Sequence, residues 1–64
     1  MGYKIKEARQ EKRMSQEELA LKSGVSRATI SALENGSERY VMMGTLVKLA
    51  NALGTTIDKI FFVD

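Results

Sequence analysis

Cysteine and histidine are both absent from the 64 residues. Without cysteine there is no disulfide, no thiol nucleophile and no zinc site built on thiolates. Without histidine the commonest general base and metal ligand is missing. The remaining carboxylates fall on capping and surface positions of the helices described next, with no convergent pair and no glycine-rich phosphate loop. An enzyme is therefore not expected, and neither is a metal, a cofactor or a small-molecule ligand. Proline is absent too, so glycines and helix caps alone must mark where elements end. No apolar run approaches the ~20 residues that a membrane-spanning helix needs. Met1-Gly2-Tyr3-Lys4-Ile5-Lys6 carries charge with no long apolar segment behind it, unlike a secretory signal. A chain without cysteine suits a reducing compartment. Together these absences predict a soluble, cytoplasmic protein that does not associate with membranes.

What is present is a short, mildly basic chain. It can form one domain at most, spanning residues 1–64. A domain of this size buries only about 60% of the surface its unfolded chain exposes, so it depends on well-packed helices or on a partner subunit. The net charge is +2, distributed unevenly. Residues 1–13 carry Lys4, Lys6, Arg9, Lys12 and Arg13 against Glu7 and Glu11, a balance of +3, and the rest sums to −1. A basic end can attract phosphate. It is equally compatible with a solvated helix face.

Hydrophobic spacing and capping residues predict five short helices. The first runs from Lys4 to Lys12. The second starts at Ser15, where Ser15-Gln16-Glu17-Glu18 forms a capping box, and stops at Gly24, a suitable left-handed residue. The third has Ser26 as its N-cap and Arg27 to Glu34 as its body, and Asn35-Gly36 closes it. The fourth spans Met43 to Leu53, with Leu46, Leu49, Ala50 and Leu53 on one stripe, and ends at Gly54. The fifth is a turn or two, capped by Thr56, with Ile57, Ile60 and Phe61 facing inward. No stretch alternates with period two for long, so no sheet is expected. The expected core is Ile5, Ala8, Met14, Leu19, Ala20, Val25, Ile30, Leu33, Leu46, Leu49, Ala50, Leu53, Ile57, Ile60 and Phe61. Burying each large apolar side chain contributes roughly 1.5–3 kcal/mol, most of it offset by chain entropy.

The second and third helices are separated only by Gly24-Val25-Ser26. Glycine permits positive φ at the corner, Val25 tucks beneath it, and Ala20 is small where the helices must approach. This is a helix-turn-helix pattern between residues 15 and 35, whose second helix can enter a DNA major groove. Ser15-Gln16-Glu17-Glu18-Leu19-Ala20, Gly24-Val25-Ser26-Arg27 and Leu33-Glu34-Asn35-Gly36 together resemble the Cro and phage-repressor family, also called XRE-type regulators. Leu46-Val47-Lys48-Leu49-Ala50-Asn51-Ala52-Leu53-Gly54 and Ile57-Asp58-Lys59-Ile60-Phe61 extend the likeness to roughly residues 5–61. The resemblance implies an all-α, five-helix bundle of the lambda-repressor-like DNA-binding type. It also implies a transcriptional regulator, expected to be a repressor binding a palindromic operator as a homodimer. A phage-type repressor, a restriction-operon controller and an autoregulating antitoxin all share that DNA chemistry.

On the third helix Ile30 and Leu33 mark the buried side, which leaves Arg27, Ala28, Ser31 and Ala32 outward near the end that meets base edges. The resemblance implies the same four positions as base readers. A guanidinium can pair with guanine O6 and N7, so Arg27 is the strongest candidate. The alanines offer apolar contact to a thymine methyl or permit close approach, and Ser31 can bond a base or a phosphate. All four positions also suit an ordinary solvated helix face. For phosphate, the resemblance implies Gln16, beside a positive helix N-terminus, and Asn35. Ser37 and Arg39 in the next loop, and Lys6, are further candidates. Gln16 could instead be helix surface and Asn35 a helix stop.

Arg9 lies on the apolar stripe of the first helix, where a charge is costly unless paired. Glu34 lies on the inner edge of the third. An Arg9–Glu34 ion pair resolves both, and the resemblance suggests the same pair. Its role would be to orient the reading helix, since buried pairs add little net stability. The alternative is Arg9 reaching phosphate.

Glu38-Arg39-Tyr40-Val41-Met42-Met43-Gly44 departs from the family pattern, which has a polar loop and a Ser or Thr cap there. Met42 stands at the cap, and Gly44 weakens the first turn by about 0.5–1 kcal/mol relative to Ala. Two readings are open. Tyr40, Val41, Met42 and Met43 could cover the core and lengthen the fourth helix. Alternatively Tyr40, Val41, Met42, Phe62 and Val63 could form a subunit interface, since adjacent exposed apolar groups suggest association. A competing function is a protein-interaction module that keeps the helix-turn-helix but reads little or no DNA, which the alanine-rich face and modest charge permit.

Overall fold

Ser15 and Ser26 start the two central helices as their side chains dictate. In the computed structural model, which describes residues 2–37 and 40–62, Ser15 Oγ accepts from the Glu18 N–H at 3.0 Å while Glu18 Oε1 accepts from the Ser15 N–H at 3.3 Å. This reciprocal box opens the helix that begins at Gln16, and it satisfies two N–H groups that would otherwise lack partners. Among the described residues, five helices and two very short strands follow the order β1 (Gly2–Tyr3), α1 (Ile5–Glu11), α2 (Gln16–Ser23), α3 (Arg27–Asn35), α4 (Met43–Leu53), α5 (Ile57–Ile60) and β2 (Phe61–Phe62). The fold is all-α in class. α4 lies against α1, α2 and α5, while α3 packs on α2 and α1.

The core is Ile5, Met14, Leu19, Val25, Ile30, Leu33, Leu46, Leu49, Ala50, Leu53 and Ile60. Ala8, Ala20, Ile57 and Phe61, also expected inside, are partly buried and pack around that cluster. Each helix contributes at helical spacing, so the amphipathic pattern accounts for the packing.

Three details differ from the sequence expectation. First, α1 is shorter by one residue at each end. The Lys4 N–H is drawn to the Ile60 carbonyl at 2.8 Å, and Lys12 already belongs to the turn that follows. In that turn Arg13 adopts φ 53°, a left-handed conformation that disfavours a side chain. Second, Thr56 occupies the N-cap position of α5 but its side chain makes no capping bond. Its carbonyl instead accepts from the Lys59 N–H at 3.1 Å, which closes the short turn through the backbone. Third, Gly2 and Tyr3 pair antiparallel with Phe62 and Phe61. Two residues per strand are too few to leave a periodic signal. The ladder follows from α5 delivering the chain beside its own beginning, where Tyr3 and Phe61 meet with ring centroids 5.4 Å apart.

Candidate nucleic-acid interface

The corner between α2 and α3 is fixed by local chemistry. Gly24 takes φ 75°, and its N–H donates to the Ala20 carbonyl. The Ser23 hydroxyl, almost fully buried, accepts from the Val25 N–H at 3.1 Å. Val25 then turns into the core, and Ser26 caps α3 by accepting from the Thr29 N–H at 3.1 Å. Ser26 Oγ also donates to Thr29 Oγ1 at 2.9 Å. Ser23 is a functional turn residue outside the expected set, and its signal is local: a serine two residues before a buried N–H is a recognisable turn former.

A polar chain ties α1, α2 and α3 together. Arg9 Nε donates to Glu34 Oε2 at 2.9 Å and Arg9 Nη2 to Glu34 Oε1 at 3.0 Å, a two-pronged pair. Arg9 Nη1 donates to the Met14 carbonyl at 2.8 Å, which anchors the turn after α1. The side chains of Arg9 and Glu34 are only 13% and 6% exposed. Gln16 Nε2 donates to Glu34 Oε1 at 3.0 Å, and Gln16 Oε1 lies 3.5 Å from Arg27 Nε, at the outer limit of a hydrogen bond. Burial pushes the Glu34 carboxylate up, but the hydrogen bonds from Arg9 and Gln16, with the charges of Arg9 and Lys6, outweigh it and hold Glu34 below the usual carboxylate range. The hydrogen bond to Glu34 raises Arg9 above its ordinary value, against burial, and the carboxylate charge adds to it. Arg9 is thus committed inside the protein rather than extended toward a phosphate.

Arg27 and Ala28 at the start of α3 are exposed, and Ser31 and Ala32 are half-buried one turn later. With Ile30 and Leu33 buried on the other side, the four positions follow one outward edge of the helix. The Arg27 guanidinium meets a neutral amide, not a carboxylate. A family model described as helix-turn-helix matches residues 5–60.

The chain belongs to this helix-turn-helix family.

An uncharacterised HTH-type transcriptional regulator of Bacillus subtilis (strain 168), RghRB, is 38% identical over 52 residues, which cover 81% of this chain and 37% of that protein. The chain therefore spans little more than a third of the length of the curated relative it matches. No solved structure gives a significant match.

Around the helix-turn-helix, the candidate phosphate contacts sit in different environments. Lys6 is exposed on α1, and Gln16 is half-buried at the first position of α2. Asn35 is exposed, but its Oδ1 accepts from the Ser37 N–H at 3.0 Å and from Ser37 Oγ at 2.7 Å. Gly36, at φ 80°, and Ser37 both donate backbone N–H groups to the Ala32 carbonyl. Asn35 and Ser37 thus build the stop of α3, leaving the Asn35 amide nitrogen as the donor still open to solvent. Arg39 lies outside the described residues.

The apolar segment before α4 divides between the two readings. Val41 packs against the core, so this monomer already covers it. Tyr40 and Met42 are 82% and 79% exposed. Met42 is the N-cap of α4 without a side-chain capping bond, and Met43 begins the helix at 63% exposed. One turn on from Met43, Val47 is 41% exposed and continues the same face. Phe62 is held in the ladder with the Lys4 ammonium 5.5 Å from its ring, and remains 42% exposed. Val63 lies outside the described residues. No helix among the described residues is long and apolar enough to cross a membrane.

Proposed function

We propose that this protein is a sequence-specific, double-stranded DNA-binding transcriptional regulator, acting in the cytoplasm, with α3 in the major groove. Arg27, Ala28, Ser31 and Ala32 face base edges there. Lys6, Gln16, Asn35 and Ser37 lie toward phosphates, and Arg39, outside the described residues, is the fifth candidate contact. The observation that carries this reading is the exposed Arg27 at the first position of a capped corner helix, whose guanidinium, among the described residues, meets a neutral amide rather than a carboxylate. The helix-turn-helix family and the transcriptional-regulator name of the Bacillus relative support it.

The regulator acts as a repressor and binds a palindromic operator as a homodimer. Support for the dimer comes from the exposed Tyr40, Met42, Met43 and Val47, which adjoin one another along the chain and on α4. Two-fold pairing would set the reading helices about 34 Å apart, one turn of DNA.

The test is a gel shift on random and selected duplexes over a range of salt. Binding should weaken steeply with salt, with a log–log slope of about −0.9 per phosphate neutralised. Binding indifferent to salt, or none at low salt, would instead favour a protein-interaction module, to which the two alanines on the α3 edge are suited.

A further inference from the structure

We infer that Arg13, in the turn between α1 and α2, is a phosphate-binding residue: its guanidinium grips the DNA backbone beside the start of α2. The inference rests on the DNA-binding reading proposed above and adds to it a contact outside the helix-turn-helix itself.

Arg13 holds a conformation that its own side chain disfavours. Gly24, Gly36 and Gly54 take positive φ where α2, α3 and α4 end. Arg13, at φ 53°, stands in the same left-handed region just after α1, and among the described residues no other non-glycine residue does. A Cβ costs energy there that glycine avoids. The turn needs this conformation, because it lets Met14 enter the core and Ser15 open α2. It needs nothing from the guanidinium. The Arg13 N–H donates to the Gln10 carbonyl at 3.0 Å, the Met14 N–H donates to the Arg9 carbonyl at 3.0 Å, and Arg9 Nη1 donates to the Met14 carbonyl at 2.8 Å. The Arg13 side chain is exposed and, among the described residues, makes no hydrogen bond or ion pair that would offset the strain. Strained residues gather where function uses the side chain, and here that use lies outside the folded chain.

Its place on the surface selects the ligand. In a helix-turn-helix the first helix crosses the DNA backbone while the second enters the groove. Arg13 lies three residues before Gln16, the first residue of that crossing helix. It also continues a row on α1. Lys6, Gln10 and Arg13 are spaced i, i+4 and i+7, one side of a helix, and the bond from the Arg13 N–H to Gln10 carries the path past Glu11. Lys6 lies near enough to Glu34 to lower its carboxylate, and Gln16 Nε2 donates to that same carboxylate at 3.0 Å. Lys6, Arg13 and Gln16 therefore border the Arg9–Glu34 pair on one side of the molecule. Two exposed cations on that side suit a phosphate, and a guanidinium can bind two of its oxygens with parallel donors. Such a contact positions the protein and carries no sequence information, which separates the role of Arg13 from that of Arg27.

The experiment uses the 64-residue chain, one duplex selected from random DNA and one of unrelated sequence. Dissociation constants are measured at several salt concentrations, and thermal melts are run without DNA. Arg13→Gly relieves the strain and removes the charge, so stability and binding should move in opposite directions. Its Tm should rise by about 4–8 °C. Its log–log salt slope should be shallower by about 0.9, so that a fourfold drop in salt strengthens binding about 3.5-fold less than in the parent. Both duplexes should lose affinity by the same factor. Arg13→Gln keeps the strained backbone and removes only the charge, and should give the same slope with the parent Tm. Arg13→Lys should retain the parent slope. Lys59→Gln removes an equal charge from α5, which packs on α4 and β2, and should retain the parent slope too. Parent slopes for both Arg13→Gly and Arg13→Gln would overturn the phosphate contact while the DNA-binding reading stands. A change as large for Lys59→Gln as for Arg13→Gln would also overturn it, since net charge would then be the cause. A loss confined to one base pair would make Arg13 a base reader instead. If the parent binds neither duplex at low salt, the DNA-binding reading fails, and this inference fails with it.

Discussion

The Arg9 guanidinium meets the Glu34 carboxylate with two donors, at 2.9 and 3.0 Å, across an interval of 25 residues. The pair joins α1 to α3 and leaves neither charge unsatisfied. Removing one partner should therefore cost more than the pair contributes. Glu34→Ala strands a nearly buried arginine and is expected to destabilise the fold by about 3 kcal/mol. For a domain of this size that is a fall in Tm of roughly 12–24 °C. Replacing both residues with apolar ones, Arg9→Met with Glu34→Leu, should cost less than Glu34→Ala alone. Thermal melts of the three variants decide the matter, and an unchanged Tm for Glu34→Ala would rule out a structural role.

The same carboxylate gives the fold an acid dependence. Glu34 is held below the usual range, so on acidification the unfolded chain takes up the proton before the folded one does. Its stabilising contribution is present above the ordinary glutamate pKa of about 4.3 and is lost as pH falls toward the lower folded value. Melts from neutral pH down to about pH 3 should show Tm dropping in that window. The drop should be shallower for Glu34→Gln, and equal slopes would exclude Glu34 as the source.

Two capping positions should respond differently to the same change. Ser15 makes both bonds of a capping box, and Ser15→Ala is expected to cost about 1 kcal/mol. Thr56 caps nothing with its side chain, and Thr56→Ala should stay within about 0.5 kcal/mol of the parent. Chemical denaturation of the two variants side by side measures the contrast.

On DNA, base-reading and phosphate-binding residues should separate. Arg27→Ala should remove about 1–3 kcal/mol of discrimination at one base pair. Because Arg27 is exposed, its Tm should hardly move. Lys6→Ala should weaken binding to all sequences and reduce the salt slope by about 0.9. Binding isotherms at several salt concentrations test both residues. Loss of preference from Lys6→Ala, or a uniform loss from Arg27→Ala, would reverse the assignments.

Association should depend on the exposed face of α4 and not on its buried approach. Met43→Glu places a charge on a residue 63% exposed, at a helix N-terminus that favours acidic side chains. It should abolish dimers in sedimentation while leaving the monomer folded. Val41→Ala, at a side chain packed on the core, should instead lower stability and leave association intact. A parent chain that sediments as a monomer with and without DNA would remove the dimer altogether.

Much of this protein was legible before its tertiary structure. Ser15, Ser26, Gly24 and Gly36 set the bounds of α2 and α3 because capping and positive φ are local properties, settled within four or five residues. The span of α4 and the helical part of the buried core follow from helical periodicity, which survives in any arrangement that buries one face, while Met14 and Val25 enter the core from the turns between helices. Charge on an apolar stripe called for a partner and, with the family resemblance, suggested Glu34 for Arg9, but a phosphate contact stayed open until the packed helices placed the two side chains 2.9 and 3.0 Å apart. The edge formed by Arg27, Ala28, Ser31 and Ala32 is set by the same periodicity. What tertiary structure alone decided are relationships between segments distant in sequence. The pairing of Gly2–Tyr3 with Phe61–Phe62 exists because α5 returns the chain to its start. Val41 turns inward while Met42 and Met43 stay out, a division that three consecutive apolar residues do not encode by themselves. Gln16 lies between Glu34 and Arg27 only because the corner brings the first turn of α2 against α3. Local sequence determines which elements form and which faces they bury, because those choices depend on neighbouring residues. The contacts of a polar side chain are decided by whatever the packed helices place within about 3 Å of it.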